Sequence, residues 1–107
     1  MDNIVLTEAV YYVLLSLISP LHGYGIMQKV HNMSSGRVNL AAGTLYGAIN
    51  NMLEKGWIIA IPGEKNSRKK EYIITTTGKL IVYNELNRLK ELVANGEKII
   101  CEDKNDA

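Results

Sequence analysis

An uncharged polar face on one predicted helix is the strongest chemical feature of the sequence. No charged residue occurs from Val38 through Leu53, and apolar residues recur there at the spacing of a helix with one buried stripe. A helix facing plain water normally carries Lys and Glu on its opposite face, whereas this one offers small groups, a hydroxyl and two amides. Such a face can approach another molecule closely and form hydrogen bonds with it. Its members are Gly43, Thr44, Gly47, Asn50 and Asn51.

The residue types on this face suit the major groove of DNA. An Asn side chain can form two hydrogen bonds with adenine, and a Thr methyl group can contact the methyl group of thymine. Each Gly costs about 1 kcal/mol of helix stability relative to Ala, a cost most easily tolerated where a side chain would obstruct close approach. For Thr44 and Asn51 an alternative stays open, since both can be surface positions without a function.

A cluster of cations follows this helix. Lys65, Arg68, Lys69 and Lys70 lie within six positions, although the net charge of the chain is only +1. Cations placed beside phosphates release condensed counterions, so they position a protein on DNA and make its affinity depend on salt. A basic turn by itself is usually only a solvated turn. Beside the uncharged helix face, it favours a nucleic-acid interface.

Three short helices are predicted to carry and support these groups. Their apolar residues recur at helical spacing, and Pro20 and Gly56 are expected to end the first and the third. Tyr24, in the second helix, is expected in the core with its hydroxyl at the surface. Trp57 follows the third helix and is expected to anchor the core. The predicted helices span residues 7–18, 22–32 and 41–55.

A hairpin and a long helix complete the predicted order. Strand-forming residues at 57–61 and 71–75 flank a long polar turn, which is typical of a β-hairpin. Thr76 or Thr77 is predicted to cap the last helix, which runs from Gly78 to Cys101. The fold class is therefore mainly α (α+β), a winged helix-turn-helix with a two-stranded wing and a C-terminal dimerisation helix. We expect the winged domain in residues 1–76, the dimerisation helix in 77–101 and a disordered tail in 102–107.

Two apolar surfaces predict a homodimer. The first helix is apolar nearly all round, and the last carries apolar residues at alternating spacings of four and three. A small domain seldom buries every face of a helix internally, so a second copy is expected to cover the remainder. The expected dimerisation residues are Val10, Tyr11, Leu14, Val82, Leu86, Leu89, Val93 and Ile100.

Composition favours one small cytoplasmic domain without enzymatic activity. The 107 residues are 47% hydrophobic and 21% charged, which allows a single modest core. The polar start of the chain is unlike a signal peptide, and the apolar run at 9–18 is too short to span a bilayer. His22 and His31 have no Cys or carboxylate at ligand spacing, so metal binding is not expected. No nucleophile–base set and no phosphate-cradling Gly loop is present, so catalysis is not expected, and no cofactor is expected. The single Cys101 excludes an intramolecular disulfide and is not expected to be a nucleophile.

Four short blocks resemble the PadR family of bacterial transcriptional regulators. They are His22-Gly-Tyr-Gly-Ile26, Gly43-Thr-Leu-Tyr46, Leu53-Glu-Lys-Gly-Trp-Ile58 and Lys70-Glu-Tyr-Ile-Ile-Thr75, the last leading to Gly78. The single final helix is similar to that of the short subfamily. The resemblance implies a homodimer that represses transcription from a near-palindromic operator in double-stranded DNA, without a role at membranes.

Further DNA contacts are expected beside the uncharged face. Tyr46, in the second block, is expected to contact phosphate through its hydroxyl or to pack under the wing. Gln28 and Lys29 lie on the helix that crosses the DNA backbone in helix-turn-helix docking. Two other functions stay open, a winged helix that binds protein and a ligand sensor without DNA binding.

The resemblance also implies an effector, a small hydrophobic or phenolic molecule that releases the DNA. One branch of the family places Trp on the last helix to line a drug-binding pore, and no Trp occurs on that helix here. The tyrosines can line an apolar cavity or serve only as interface packing. The candidate lining residues are Tyr11, Tyr12, Leu89 and Val93.

Overall fold

Four helices and one two-stranded antiparallel sheet form the computed structural model, which describes residues 4–63 and 69–103. The order of these elements confirms the predicted winged helix-turn-helix. Within the same two ranges, no helix is long and apolar enough to cross a membrane. The elements are α1 (Glu8–Ser16), α2 (Gly23–Met33), α3 (Ala42–Glu54), β1 (Ile58–Ile61), β2 (Glu71–Ile74) and α4 (Thr76–Glu102).

Side chains cap the starts of α1 and α2. Thr7 Oγ1 accepts a hydrogen bond from the backbone N–H of Val10 at 3.1 Å. At the start of α2, His22 Nδ1 accepts from the backbone N–H of Gly25 at 3.3 Å. Both caps satisfy a donor that would have no partner within its own helix.

The start of α4 differs from the prediction. Its N-cap is Thr75, whose Oγ1 accepts from Gly78 N at 3.0 Å, so the proposal of Thr76 or Thr77 was wrong. The Thr75 hydroxyl also donates to the carbonyl oxygen of Gly56 at 2.6 Å. This second bond, to the turn that follows α3, is available only to Thr75 and selects it from three consecutive threonines.

One apolar core joins the first three helices to both strands. Trp57 is only 6% exposed and anchors this core, as predicted. Tyr24 is 58% exposed, so its predicted core position was wrong. Helical spacing places it on the same side of α2 as Gln28, away from the buried Ile26. The core consists of Leu6, Val13, Leu14, Leu17, Ile26, Val30, Leu45, Ile49, Met52, Trp57, Ile58, Tyr72 and Ile74.

The base of the wing is tied to the start of α2. In the sheet, Ile58 pairs with Ile74 and Ala60 pairs with Tyr72. Tyr72 also forms an antiparallel bridge with Leu21, with its N–H donating to Leu21 O at 2.9 Å and its carbonyl accepting from Leu21 N at 3.2 Å. The wing and the N-terminus of α2 therefore hold a fixed relation to each other.

Close packing fixes the first half of α4. A Cβ at Gly78 would overlap the carbonyl oxygen of Trp57 and lie 2.7 Å from Ile74 Cγ1, so only glycine permits this approach. Glu85, one turn further on from Ile81, is 2% exposed and faces the segment before α1. The second half of α4 projects from the domain, and every residue from 90 to 103 is exposed.

Candidate nucleic-acid interface

The uncharged face of α3 is open to solvent along its whole length. Gly43, Thr44, Gly47, Asn50 and Asn51 are all exposed. A Cβ at Gly43 or at Gly47 would meet no atom within 4 Å, so packing within the chain does not require glycine at either position. The N-cap of α3, Ala41, provides no side-chain hydrogen bond. The first turn of α3 therefore presents backbone N–H groups and no bulky side chains.

The two Asn side chains lie on different flanks of α3. Successive residues of a helix are rotated by about 100°, so Asn50 lies on the same flank as Tyr46, one turn before it. Asn51 instead lines a groove of about 200 Å³ with the segment before α1 and with Trp57. Lys55, beside it in this groove, places its Nζ 4.7 Å from the centre of the Trp57 ring. The structure thus separates two residues that the sequence presents as neighbours.

A pocket of about 350 Å³ adjoins the Tyr46 flank of α3, where the start of α2 meets the wing. Tyr46 is 45% exposed, and its hydroxyl packs against the backbone of Gly23. A Cβ on Gly23 would lie 2.9 Å from Tyr46 Cζ, so glycine is required there for Tyr46 to adopt this position. The lining residues are His22, Gly23, Tyr24, Tyr46, Lys69, Lys70 and Tyr72.

Two of the four predicted wing cations reach this pocket. Lys69 and Lys70 are exposed and line it together with Tyr46. Lys65 and Arg68 lie outside the described residues. The pocket therefore joins the base of the wing to the flank of α3 that carries Tyr46.

The predicted contacts on α2 are exposed. Gln28 Nε2 donates to the Tyr24 hydroxyl oxygen at 3.2 Å, which orients both side chains along the outer side of the helix. Lys29 is exposed beside them. Tyr24 thus links α2 to the pocket, because its ring also lines that space.

The residues expected at a dimer interface fall into two groups. Leu14 is fully buried within its own protomer, and Val10, Tyr11, Val82 and Leu89 are partly buried. The remaining three, on α4, have exposed fractions of 36%, 59% and 73%, in the order Leu86, Val93 and Ile100.

The candidate effector residues are spread along α1 and α4. The rings of Tyr11 and Tyr12 contact each other, with centroids 6.2 Å apart. Burial, followed by the negative charge of Glu85 and the neighbouring Tyr12, raises the pKa of Tyr11. Leu89 is partly buried, whereas Val93 lies beyond the compact part of the domain.

Sequence reasoning did not assign Tyr72 and His22 to this surface. Alternation along β2 would have placed Tyr72 on the inner side with Ile74, and the position of His22 just before a helix is typical of an N-cap. Tyr72 and His22 lie close together because of the bridge between Leu21 and Tyr72, which joins residues far apart in the chain. Within residues 4–63 and 69–103, no group of three metal-ligating side chains lies together.

Comparisons with known proteins bear on this geometry. The sequence profile of the Transcriptional regulator PadR-like family matches residues 13–84. No curated protein matches the chain.

Solved structures with the same fold include two regulators of similar size. A PadR family transcriptional regulator from Eggerthella lenta has 21% identity and a TM-score of 0.66, with 89% of this chain and 82% of that chain covered. A PadR family transcription regulator from Clostridium difficile has 19% identity and a TM-score of 0.69, with 87% and 97% covered.

A third similar structure is that of Bacillus subtilis PadR in complex with operator DNA. It has 19% identity and a TM-score of 0.61, with 73% of this chain and 45% of that chain covered. The family profile matches 72 consecutive residues, 13 to 84, of the 107. The chain belongs to the PadR-like family of transcriptional regulators.

Proposed function

We propose that the protein is a homodimeric DNA-binding regulator, a repressor that binds a near-palindromic operator and is released by a small effector. The observation that carries this proposal is the exposed, uncharged face of α3 beside the lysines at the base of the wing. Bacillus subtilis PadR, which shares the fold, has been crystallised with operator DNA. The family resemblance is the ground for the repressor role.

The two parts of the surface suit the two tasks of DNA recognition. Asn50 and Thr44 offer an amide and a hydroxyl with a methyl group, which are suited to base edges in the major groove. Gly43 and Gly47 keep the helix thin where the groove walls come closest. Lys70 and the other wing cations suit phosphate oxygens, which fix the register of the protein but carry no sequence information.

The proposal of a homodimer is based on the exposed apolar side chains in the second half of α4. The first half of the helix buries one side against its own domain around Glu85, and Leu92, Val93, Ile99 and Ile100 continue the apolar character beyond it. These four side chains are 53% to 73% exposed. Apolar surface that is continuous with a packed face but lacks a cover fits the corresponding surface of a second copy. Sedimentation equilibrium should therefore give twice the chain mass of 11.9 kDa, and a monomer would contradict the dimer.

An effector would act from the dimer side of the molecule. Tyr11, Tyr12, Leu89 and Val93 are the candidate contacts for a small hydrophobic or phenolic molecule. Support comes from the partial burial of Tyr11 and Tyr12 on α1, close to the helix that would carry the second copy.

DNA binding can be tested by fluorescence anisotropy with duplexes from the region upstream of the gene for this protein. At about 50 mM salt one duplex should bind tightly, and at about 200 mM salt its affinity should fall steeply. The double variant Arg68→Ala with Lys70→Ala should weaken binding to every duplex and reduce the salt slope by about 2.

A matched control keeps the same change in net charge. Lys90 and Lys98 are exposed on α4, so replacing both by Ala removes two positive charges away from the proposed surface. This control should bind DNA nearly as the wild type does. Failure of the wild type to bind any upstream duplex at the lower salt concentration would count against DNA binding altogether.

A further inference from the structure

The pocket between α2, α3 and β2 is lined by Tyr72, a largely buried side chain whose hydroxyl group has no hydrogen-bond partner among the described residues. Tyr72 is 8% exposed, and within the described ranges no hydrogen bond to its hydroxyl is found. No polar side-chain atom among the described residues is both sealed from solvent and unpartnered, so this hydroxyl opens onto the pocket. Tyrosine combines an apolar ring that can be buried with a hydroxyl that takes a hydrogen-bond partner, which here has to come from the side of the pocket. An external group in the pocket would supply that partner.

The hydroxyl groups of the pocket can donate hydrogen bonds to a bound group. Burial raises the pKa of Tyr72, and the neighbouring Tyr46 raises it further. Tyr46 directs its own hydroxyl to the same region, held against the backbone of Gly23. The two hydroxyl groups therefore converge on one space.

The start of α2 adds further donors. His22 Nδ1 accepts from Gly25 N–H, so a neutral imidazole carries its proton on Nε2 and can donate from there. The first intrahelical hydrogen bond of α2 is made by Ile26 N to His22 O, so the N–H groups of Gly23 and Tyr24 precede it. The positive end of the helix dipole lies at the same place.

The charges of the pocket complete the pattern. Lys69 and Lys70 are among its lining residues, and among the described residues that line it none is Asp or Glu. Glu71, between Lys70 and Tyr72, points to the other side of the strand because side chains alternate along β2. The pocket thus combines phenol, imidazole and amide donors with positive charge, which is the chemistry that recognises a tetrahedral oxyanion.

We infer that this pocket holds a single phosphate group of the DNA backbone, with Tyr72 as a binding residue. The inference rests on the proposed function, because the phosphate belongs to the duplex that α3 enters. Tyr46 and Asn50 share one flank of α3, so a duplex whose bases meet Asn50 brings its backbone past the mouth of the pocket. The pocket grips one phosphate between three elements, whereas the wing lysines attract the backbone as a whole.

The test combines Tyr72→Phe with DNA that lacks one backbone charge. Phenylalanine keeps the buried ring and removes only the hydroxyl, so the fold is retained; Tyr83→Phe, at a 63% exposed tyrosine of α4, is the matched control. Anisotropy is measured on the bound duplex and on versions with a neutral methylphosphonate at each position in turn. We expect Tyr72→Phe to bind about tenfold more weakly, as for loss of a hydrogen bond to a charged group, without altered base preference. Tyr83→Phe should bind as the wild type.

The methylphosphonate series identifies the phosphate itself. One position in each half-site should weaken the wild type strongly and Tyr72→Phe much less, because the variant has already lost that contact. Equal affinities of Tyr72→Phe and wild type, with identical methylphosphonate profiles, would overturn the inference while DNA binding stands. Competition by inorganic phosphate against chloride at equal ionic strength distinguishes a free anion. If phosphate binds the DNA-free protein and no backbone position is sensitive, the assignment to DNA is wrong.

Discussion

Two largely buried polar side chains, Glu85 and Tyr72, differ in one respect. Glu85 is 2% exposed, and both of its carboxylate oxygens accept from Arg88, at 2.6 and 2.8 Å. It also accepts from the backbone N–H of Leu6 at 3.2 Å. Tyr72 is buried to a similar degree, but its hydroxyl has no such bond within the described residues. A satisfied buried group stabilises the fold, whereas an unsatisfied one that faces a pocket suits a partner from outside.

The same distinction applies to the glycines. Gly78 and Gly23 are required by neighbouring atoms of the protein, the carbonyl oxygen of Trp57 and the ring of Tyr46. Gly43 and Gly47 have no such neighbours. Packing within the chain thus explains Gly78 on α4 and Gly23 on α2, and it leaves Gly43 and Gly47 on α3 and Gly96 on α4 unexplained.

The largest expected effect is the loss of stability in Glu85→Ala. Removal of the carboxylate leaves the Leu6 N–H and the Arg88 guanidinium without their partner, at a cost of about 3 kcal/mol in the free energy of unfolding. Urea denaturation followed by circular dichroism, at a fixed protein concentration, measures this cost. Glu91→Ala, at an exposed glutamate of the same helix, should change stability by less than about 0.5 kcal/mol. The DNA affinity of the folded Glu85→Ala protein should match that of the wild type. A loss of affinity as large as that expected for Tyr72→Phe would contradict a purely structural role for Glu85.

Asn50→Ala should have the next largest effect, on base preference alone. Loss of a paired amide contact costs about 1 to 3 kcal/mol of discrimination at one base pair, whereas stability should change little because the residue is exposed. Duplexes that differ at a single base pair, each titrated with both proteins, measure the discrimination. Asn51→Ala is the matched control, since Asn51 lies on the other flank of α3 beside Trp57. Equal relaxation of base preference in both variants would show that the two flanks do not differ in function.

The elements themselves could be predicted because their signals are local. Apolar periodicity, a capping threonine and Gly56, with a φ of +73°, define helices within a few residues of their observed ends. Helical spacing along α2 would also have predicted an exposed Tyr24, because this residue lies on the same side of the helix as Gln28 and not on the side of Ile26. The hydrophobic character of tyrosine was given more weight than its position.

The parts that could not be predicted depend on contacts between distant segments. Thr75 is chosen as a cap by the carbonyl of Gly56, and Tyr72 reaches the start of α2 through its bridge to Leu21. Glu85 reads as an ordinary surface residue of an amphipathic helix until Leu6 N–H and Arg88 surround it. No pattern within a single element contains this information.

Gly47→Ala should separate stability from binding. The added methyl group meets no atom of the protein within 4 Å and removes the flexibility of glycine, so the free energy of unfolding should rise by about 1 kcal/mol. DNA affinity should fall several-fold because the methyl group occupies the space through which α3 approaches the groove. Thermal unfolding and anisotropy on the same preparations measure both quantities. Asn95→Ala is the control: Asn95 is exposed on α4, and asparagine has a lower helix propensity than alanine. This variant should gain stability without losing DNA affinity. A more stable Gly47→Ala protein with unchanged affinity would remove the argument for close approach.

The smallest expected effect is the dependence of stability on pH through Glu85. The hydrogen bonds from Arg88 lower the pKa of Glu85 below its ordinary value of 4.5; burial opposes this shift, and the bond from Leu6 adds to it. Folding therefore favours the carboxylate, so its contribution is fully present above pH 4.5 and is lost as the pH falls through the lower folded value. Protonated glutamic acid can still accept from Leu6 N–H, which makes this loss smaller than that in Glu85→Ala. Glu85→Gln resembles the protonated state, so the difference in unfolding free energy between it and the wild type should shrink steadily as the pH falls below 4.5. Urea midpoints of both proteins across this range decide the matter: a constant difference would show that the ion pair with Arg88 does not contribute to stability through the charge of Glu85.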